Sequence, residues 1–169
     1  MKRIVVSLLL VTVLAPAWLS ARQSGEVLPA LSFIEASGCD GLFLYAWNAA
    51  RTEVLTVRVD RNKIALADGT TTVNLATAGE DAAVRIEVTA TRRDSMPFCS
   101  ELGQPTSDRP AIWLTKAGTL KIIARRRGVA PMTAVSVMLD DLVLVSPAGI
   151  ETRAKRTVRF TAAVSDLTP

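Results

Sequence analysis

The sequence predicts an all-β chain, an antiparallel β-sandwich of about eight or nine short strands. Three observations carry that expectation. From Glu53 onward apolar residues recur with the strand period of two: Leu55, Val57 and Val59 alternate with Thr56, Arg58 and Asp60. Turn-forming residues separate the alternating runs, and no stretch of useful length has helical periodicity. Finally, the chain has two cysteines, Cys39 and Cys99. One disulfide between them would suit an exported domain, and the expected sandwich is immunoglobulin-like or jelly-roll-like.

The first residues read as an address. Lys2 and Arg3 precede an apolar run over residues 4–14, broken by Ser7 and Thr12, and small residues follow at Ala15, Ala17, Ser20 and Ala21. That is the layout of a secretory signal peptide. Residues 1–21 are expected to be removed, with Ala17 as a second candidate cleavage point, leaving 22–169 as a single β-sandwich domain. The apolar run falls short of the ~20 residues of a membrane-spanning helix, so no transmembrane span is expected after cleavage. The expected location is secreted or periplasmic. Loss of Lys2 and Arg3 lowers the net charge from +4 to about +2, which gives no electrostatic ground for a nucleic-acid partner.

Residues 37–48 are the stretch around which the rest is organised. Read as a strand, Phe43, Tyr45 and Trp47 share one face and Leu42, Leu44 and Ala46 the other. Apolar character on both faces marks a strand that is covered twice, or one that lines a core and presents an aromatic platform. Cys39 stands just ahead of it, and a bond to Cys99 would close a loop worth about 4 kcal/mol in the chain-entropy model.

Further along, Arg61, Asn62 and Lys63 turn the chain into a short strand at Ile64, Ala65 and Leu66. Asp68-Gly69 is a hairpin signal leading to a strand over residues 71–76. A turn at Ala78, Gly79, Glu80 and Asp81 precedes Val84, Ile86 and Val88, which alternate with Arg85, Glu87 and Thr89. Residues 91–110 break the rhythm with Pro97, Pro105 and Pro110. A loop of that length is usually either functional or mobile, and the disulfide argues for an ordered one, so Arg92, Arg93, Asp94, Glu101, Asp108 and Arg109 are candidate recognition residues. Strand character resumes at Ile112, Trp113 and Leu114. Ala117-Gly118 is expected to turn the chain into Leu120, Ile122 and Ala124.

Val135, Val137 and Leu139 define a face that Leu142 and Leu144 continue with the phase shifted by one. A β-bulge at Asp140-Asp141 or a tight two-residue turn produces that, and the bulge is expected because Asp-Asp is a poorer hairpin turn than Asp-Gly. Pro147, Ala148 and Gly149 form the next turn. A segment at residues 152–155 leads into a last strand carrying Val158, Phe160, Ala162 and Val164.

The chain has no histidine, which removes Ser-His-Asp and Cys-His catalysis and imidazole-based zinc sites. No glycine-rich phosphate loop opens a helix, and no cofactor is expected. Carboxylate chemistry of the glycosidase type remains. Asp140 and Asp141 are adjacent acids that read either as solvated charges or as weak calcium ligands. Arg125, Arg126 and Arg127 form a basic run suited to an anionic glycan or headgroup, or to protecting a strand edge.

Gly118-Thr119-Leu120-Lys121-Ile122, followed by Val137-Met138-Leu139-Asp140-Asp141-Leu142-Val143-Leu144, resembles the closing strands of jelly-roll carbohydrate-binding modules. That likeness implies a glycan ligand but transfers no sugar-binding residue. The expectation is an exported, non-enzymatic binding or structural module with a protein or glycan partner outside the cytoplasm. A carbohydrate-binding module is the alternative, and a carboxylate-based hydrolase the second.

Overall fold

A computed structural model describes residues 28–39, 42–66, 69–93, 99, 110–126 and 132–165. Its strands are β1 (Glu35–Cys39), β2 (Phe43–Trp47), β3 (Glu53–Val59), β4 (Gly69–Asn74) and β5 (Ala82–Val88), followed by β6 (Ala111–Arg126), β7 (Met132–Val145), β8 (Glu151–Arg153) and β9 (Val158–Ser165). Among the described residues these nine antiparallel strands form one nearly closed sheet, with no helix. The hydrogen-bonded path runs β1-β2-β3-β5-β6-β7-β8, with β4 joined to β6 and β9 to β7.

Two long strands fold that path over a core. β6 has 16 residues and β7 has 14, against about five or six in an ordinary strand. The first part of β6 pairs with β5 through Ala111 to Leu114, and its later part pairs with β4 through Thr119 to Ala124. β7 does the same, pairing first with β9 and then with β8. Both strands therefore belong to both halves of the sheet.

The bend between the halves comes from two opposed irregularities. Thr115 pairs with Leu144, Ala117 with Val143 and Thr119 with Asp140. An extra residue on β6 is followed by one on β7, so the ladder regains its register while both strands change phase. Asp141 sits at φ 53° and Gly118 at φ 139°. A Cβ on Gly118 would lie 2.9 Å from Leu142 Cδ2 and 3.0 Å from the Asp140 carbonyl. Only glycine admits that approach at that φ.

Inward residues from both halves make one core. Leu44, Leu55, Ile86, Leu120, Leu139, Leu142 and Leu144 are fully buried. Each such side chain contributes about 1.5–3 kcal/mol of transfer free energy. The sheet comes round until β9 lies alongside β1, and a Cβ on Gly38 would stand 2.9 Å from Val164 Cγ2.

The bulge expected at Asp140-Asp141 is present, as is the disulfide between Cys39 and Cys99, with a Cα–Cα distance of 5.4 Å. The turns at residues 78–81 and 146–149 are closed by Asp81 N–H to the Ala78 carbonyl and Gly149 N–H to the Ser146 carbonyl. Three expectations need correction. Ala117-Gly118 is not a turn but the bend inside β6. Residues 64–66 form no strand: Lys63 and Ile64 donate to the Asp60 carbonyl, and Ile64 and Leu66 lie against the core. Among the described residues, β4 pairs with β6 and not with residues 64–66, so those two segments make no hairpin ladder; Asp68 lies outside the described residues. Among the described residues, no helix is long and apolar enough to cross a membrane.

Candidate functional site

The bend opens a cleft of about 320 Å³. Thr119, Lys121, Asp140 and Asp141 of the two bent strands wall one side, and Lys155, Arg156 and Thr157, from the link between β8 and β9, wall the other. The link is pinned where it begins, by Ala154 N–H donating to the Leu142 carbonyl at 2.8 Å.

Asp140 then ties the walls together. The Thr157 hydroxyl donates to its Oδ1 at 2.7 Å and Lys121 Nζ donates to its Oδ2 at 3.1 Å. The hydrogen bond from Thr157, then that from Lys121, holds the Asp140 carboxyl below its ordinary range. Partial burial opposes this, while the charges of Lys121 and Arg159 reinforce it.

This geometry restricts the chemistry. A carboxylate held ionised, with both oxygens engaged, has no proton to donate at neutral pH and is a weak base. Asp141 lines the cleft from the next residue in sequence, whereas the facing wall is built of Lys155, Arg156 and Thr157. Two carboxylates across a scissile bond are therefore not what the cleft offers. A calcium ion is equally ill served, since Asp140 is spent on an ammonium and a hydroxyl and the rim is cationic. Among the described residues, no three His, Cys, Asp or Glu side chains group as a metal site. Cations are in excess: no described carboxylate lies within salt-bridge reach of Lys155, Arg156 or Arg159. The lining therefore carries more cationic than carboxylate side chains: Lys121, Lys155 and Arg156 against Asp140 and Asp141.

The aromatic stretch lies elsewhere. Leu44 and Ala46 face the core, while Phe43, Tyr45 and Trp47 lie on the outer face of β2 beside Cys39, the register partner of Phe43. The row Trp47, Val54 and Glu87 crosses β2, β3 and β5 on that face. It is not an open platform: Trp47 is 7% exposed, Val54 1% and Thr56 4%. Phe43 and Tyr45 are half-buried. The second tryptophan of the fold, Trp113, faces the core at 3% exposure.

Of the candidate recognition residues, Arg92 is exposed, but Arg93 is buried, with Nη1 3.4 Å from Glu87 Oε2. Its place is that of a structural ion pair rather than of a surface contact. Asp94, Glu101, Asp108 and Arg109 lie outside the described residues. In the basic run, Arg125 is exposed near the end of β6; the Arg126 side chain and Arg127 lie outside the described residues. The structure thus brings together Asp140 and Asp141 with residues the sequence reading did not single out: Lys121, Lys155, Arg156 and Thr157. The adjacent Lys155-Arg156-Thr157 was the available signal.

The chain matches no protein-family model, no curated protein and no solved structure.

Proposed function

We propose that the chain is an exported, non-enzymatic binding module that holds an anionic group in the cleft at the β6–β7 bend. The observation that carries the reading is the state of Asp140. Thr157 and Lys121 consume its two oxygens, while Lys155, Arg156 and Thr119 line the same space. Such a site binds negative charge and has no acid–base pair with which to act on it. Export rests on the basic and apolar start of the chain, read as a signal peptide over residues 1–21. The disulfide supports it, because such bonds persist in secreted and periplasmic proteins.

Calorimetric titration with digalacturonate and with inorganic sulfate tests the reading, followed by assay of the digalacturonate mixture for new reducing ends. Binding without bond cleavage is expected. New reducing ends that disappear in Asp140→Asn would place a hydrolase in the cleft and overturn the reading.

A further inference from the structure

We infer that the outer face of β4, β6, β7 and β9 binds an extended anionic polysaccharide bearing carboxylate or sulfate groups, with the cleft at one end of its track. This rests on the binding-module reading and names the ligand class of the same site.

The face is laid out by the ladder. Thr72, Lys121, Met138 and Arg159 form one row across the four strands. The next row is Thr70, Ile123, Ser136 and Thr161, and Arg125 stands one row beyond. In the opposite direction the rows end at Thr119 and Asp140, in the cleft. Lys121, Arg125 and Arg159 of the face join Lys155 and Arg156 of the rim, against Asp140 and Asp141. The excess is positive although the whole chain is only +4, so the charge is concentrated here.

Spacing favours a polymer over a single ion. Strands lie about 4.8 Å apart, which puts the Cα atoms of Lys121 and Arg159 about 10 Å apart, and rows repeat about every 7 Å. Separated cations of this kind fit a chain that repeats its negative groups. Between them stand hydroxyls: Thr70, Thr72 and Thr161 are exposed, and Ser136 and Thr161 hydrogen-bond to one another at 2.9 Å. Hydroxyls that donate and accept suit the hydroxyls of sugars.

The other polyanions fit less well. A membrane surface takes apolar anchors, but among the described residues the exposed large apolar ones, Ile34, Ile112, Leu114 and Ile150, lie off this face, and Ile123 and Met138 on it are half-buried. Single-stranded nucleic acid takes aromatic stacking, and Trp113 points into the core while Phe43, Tyr45 and Trp47 belong to the other half.

The test measures affinity for dextran sulfate and polygalacturonate, with neutral dextran, phosphatidylglycerol vesicles and duplex DNA in parallel. A triple variant, Lys155→Gln with Arg156→Gln and Arg159→Gln, is compared with Arg58→Gln, Lys63→Gln and Arg85→Gln, an equal charge loss elsewhere on exposed positions. Unfolding temperatures of both variants establish that each is folded. The face triple should bind one or both acidic polysaccharides about tenfold or more weakly, and the remote triple should lose about twofold or less. Equal losses in the two triples would overturn the proposal, as would tighter binding to vesicles or DNA. Failure to bind either polymer, with digalacturonate still held in the cleft, would overturn the track and leave the binding-module reading standing. Shortening of a bound polymer would do the reverse: the ligand class would stand and the non-enzymatic reading would fall.

Discussion

Gly118→Ala should damage this fold out of proportion to one methyl group. Two costs meet at the position. The φ of 139° is one that side-chain-bearing residues avoid, worth about 1–3 kcal/mol. The new Cβ would lie 2.9 Å from Leu142 Cδ2, 3.0 Å from the Asp140 carbonyl and 3.2 Å from Leu142 Cα. Two of those atoms are backbone and cannot swing away, and overpacking of this kind costs about 1–3 kcal/mol. A total near 3 kcal/mol would lower the unfolding temperature by about 12 °C, at about 4 °C per kcal/mol for a domain of this size. Gly149→Ala is the control: its φ is 83° and nothing lies within 4 Å of a new Cβ, so it should cost about 1 kcal/mol from backbone strain alone. The assay is thermal unfolding by circular dichroism of both variants and the parent. If the two variants melted together, the close approach of β6 and β7 at the bend would be wrong, and with it the origin of the cleft.

Replacing Cys39 and Cys99 together by alanine should cost at most about 4 kcal/mol, read from denaturant unfolding with and without reductant, and reductant should then leave the variant unchanged. Asp140 should give the protein an acid limb. Its folded pKa is below the ordinary value of 3.8, so its stabilisation is complete above that value and fades as pH falls through the folded pKa. Asp140→Asn should accordingly be less stable than the parent at pH 7, with the gap shrinking below pH ~3.8; a gap independent of pH would contradict the clamp. In the chain starting at Arg22, acrylamide should quench fluorescence weakly, because Trp47 is 7% and Trp113 3% exposed. Quenching like that of free tryptophan would reopen the aromatic platform.

How much of this was legible in the sequence depended on the range of the cause. Alternation of Leu55, Val57 and Val59, or of Val84 and Ile86, is a local consequence of one face meeting a core, and β3 and β5 were readable from it. The disulfide was readable because two cysteines leave one pairing. The slip at Asp140-Asp141 could be seen in one strand, but not the compensating residue on β6 that faces it. Glycine at 118 gave the same local signal for a bend as for a turn, and only the partner strand distinguishes the two. Ile64 and Leu66 look like a strand for a related reason: apolar residues that cap a core and apolar residues in a ladder share a composition. The cleft was least legible. Lys121, Asp140 and Thr157 come from three segments, and nothing in the spacing of Lys121 and Asp140 announces that they touch.

The most direct measurement is a map of backbone amide shifts in ¹⁵N-labelled protein titrated with a sulfated or carboxylated oligosaccharide. The shifts should concentrate at Thr119, Lys121, Asp141, Lys155, Arg156 and Thr157, and extend to Arg159 and Thr161 as the oligosaccharide lengthens. Shifts confined to Phe43, Tyr45 and Trp47, or spread evenly over every exposed arginine and lysine, would contradict the cleft as the binding site.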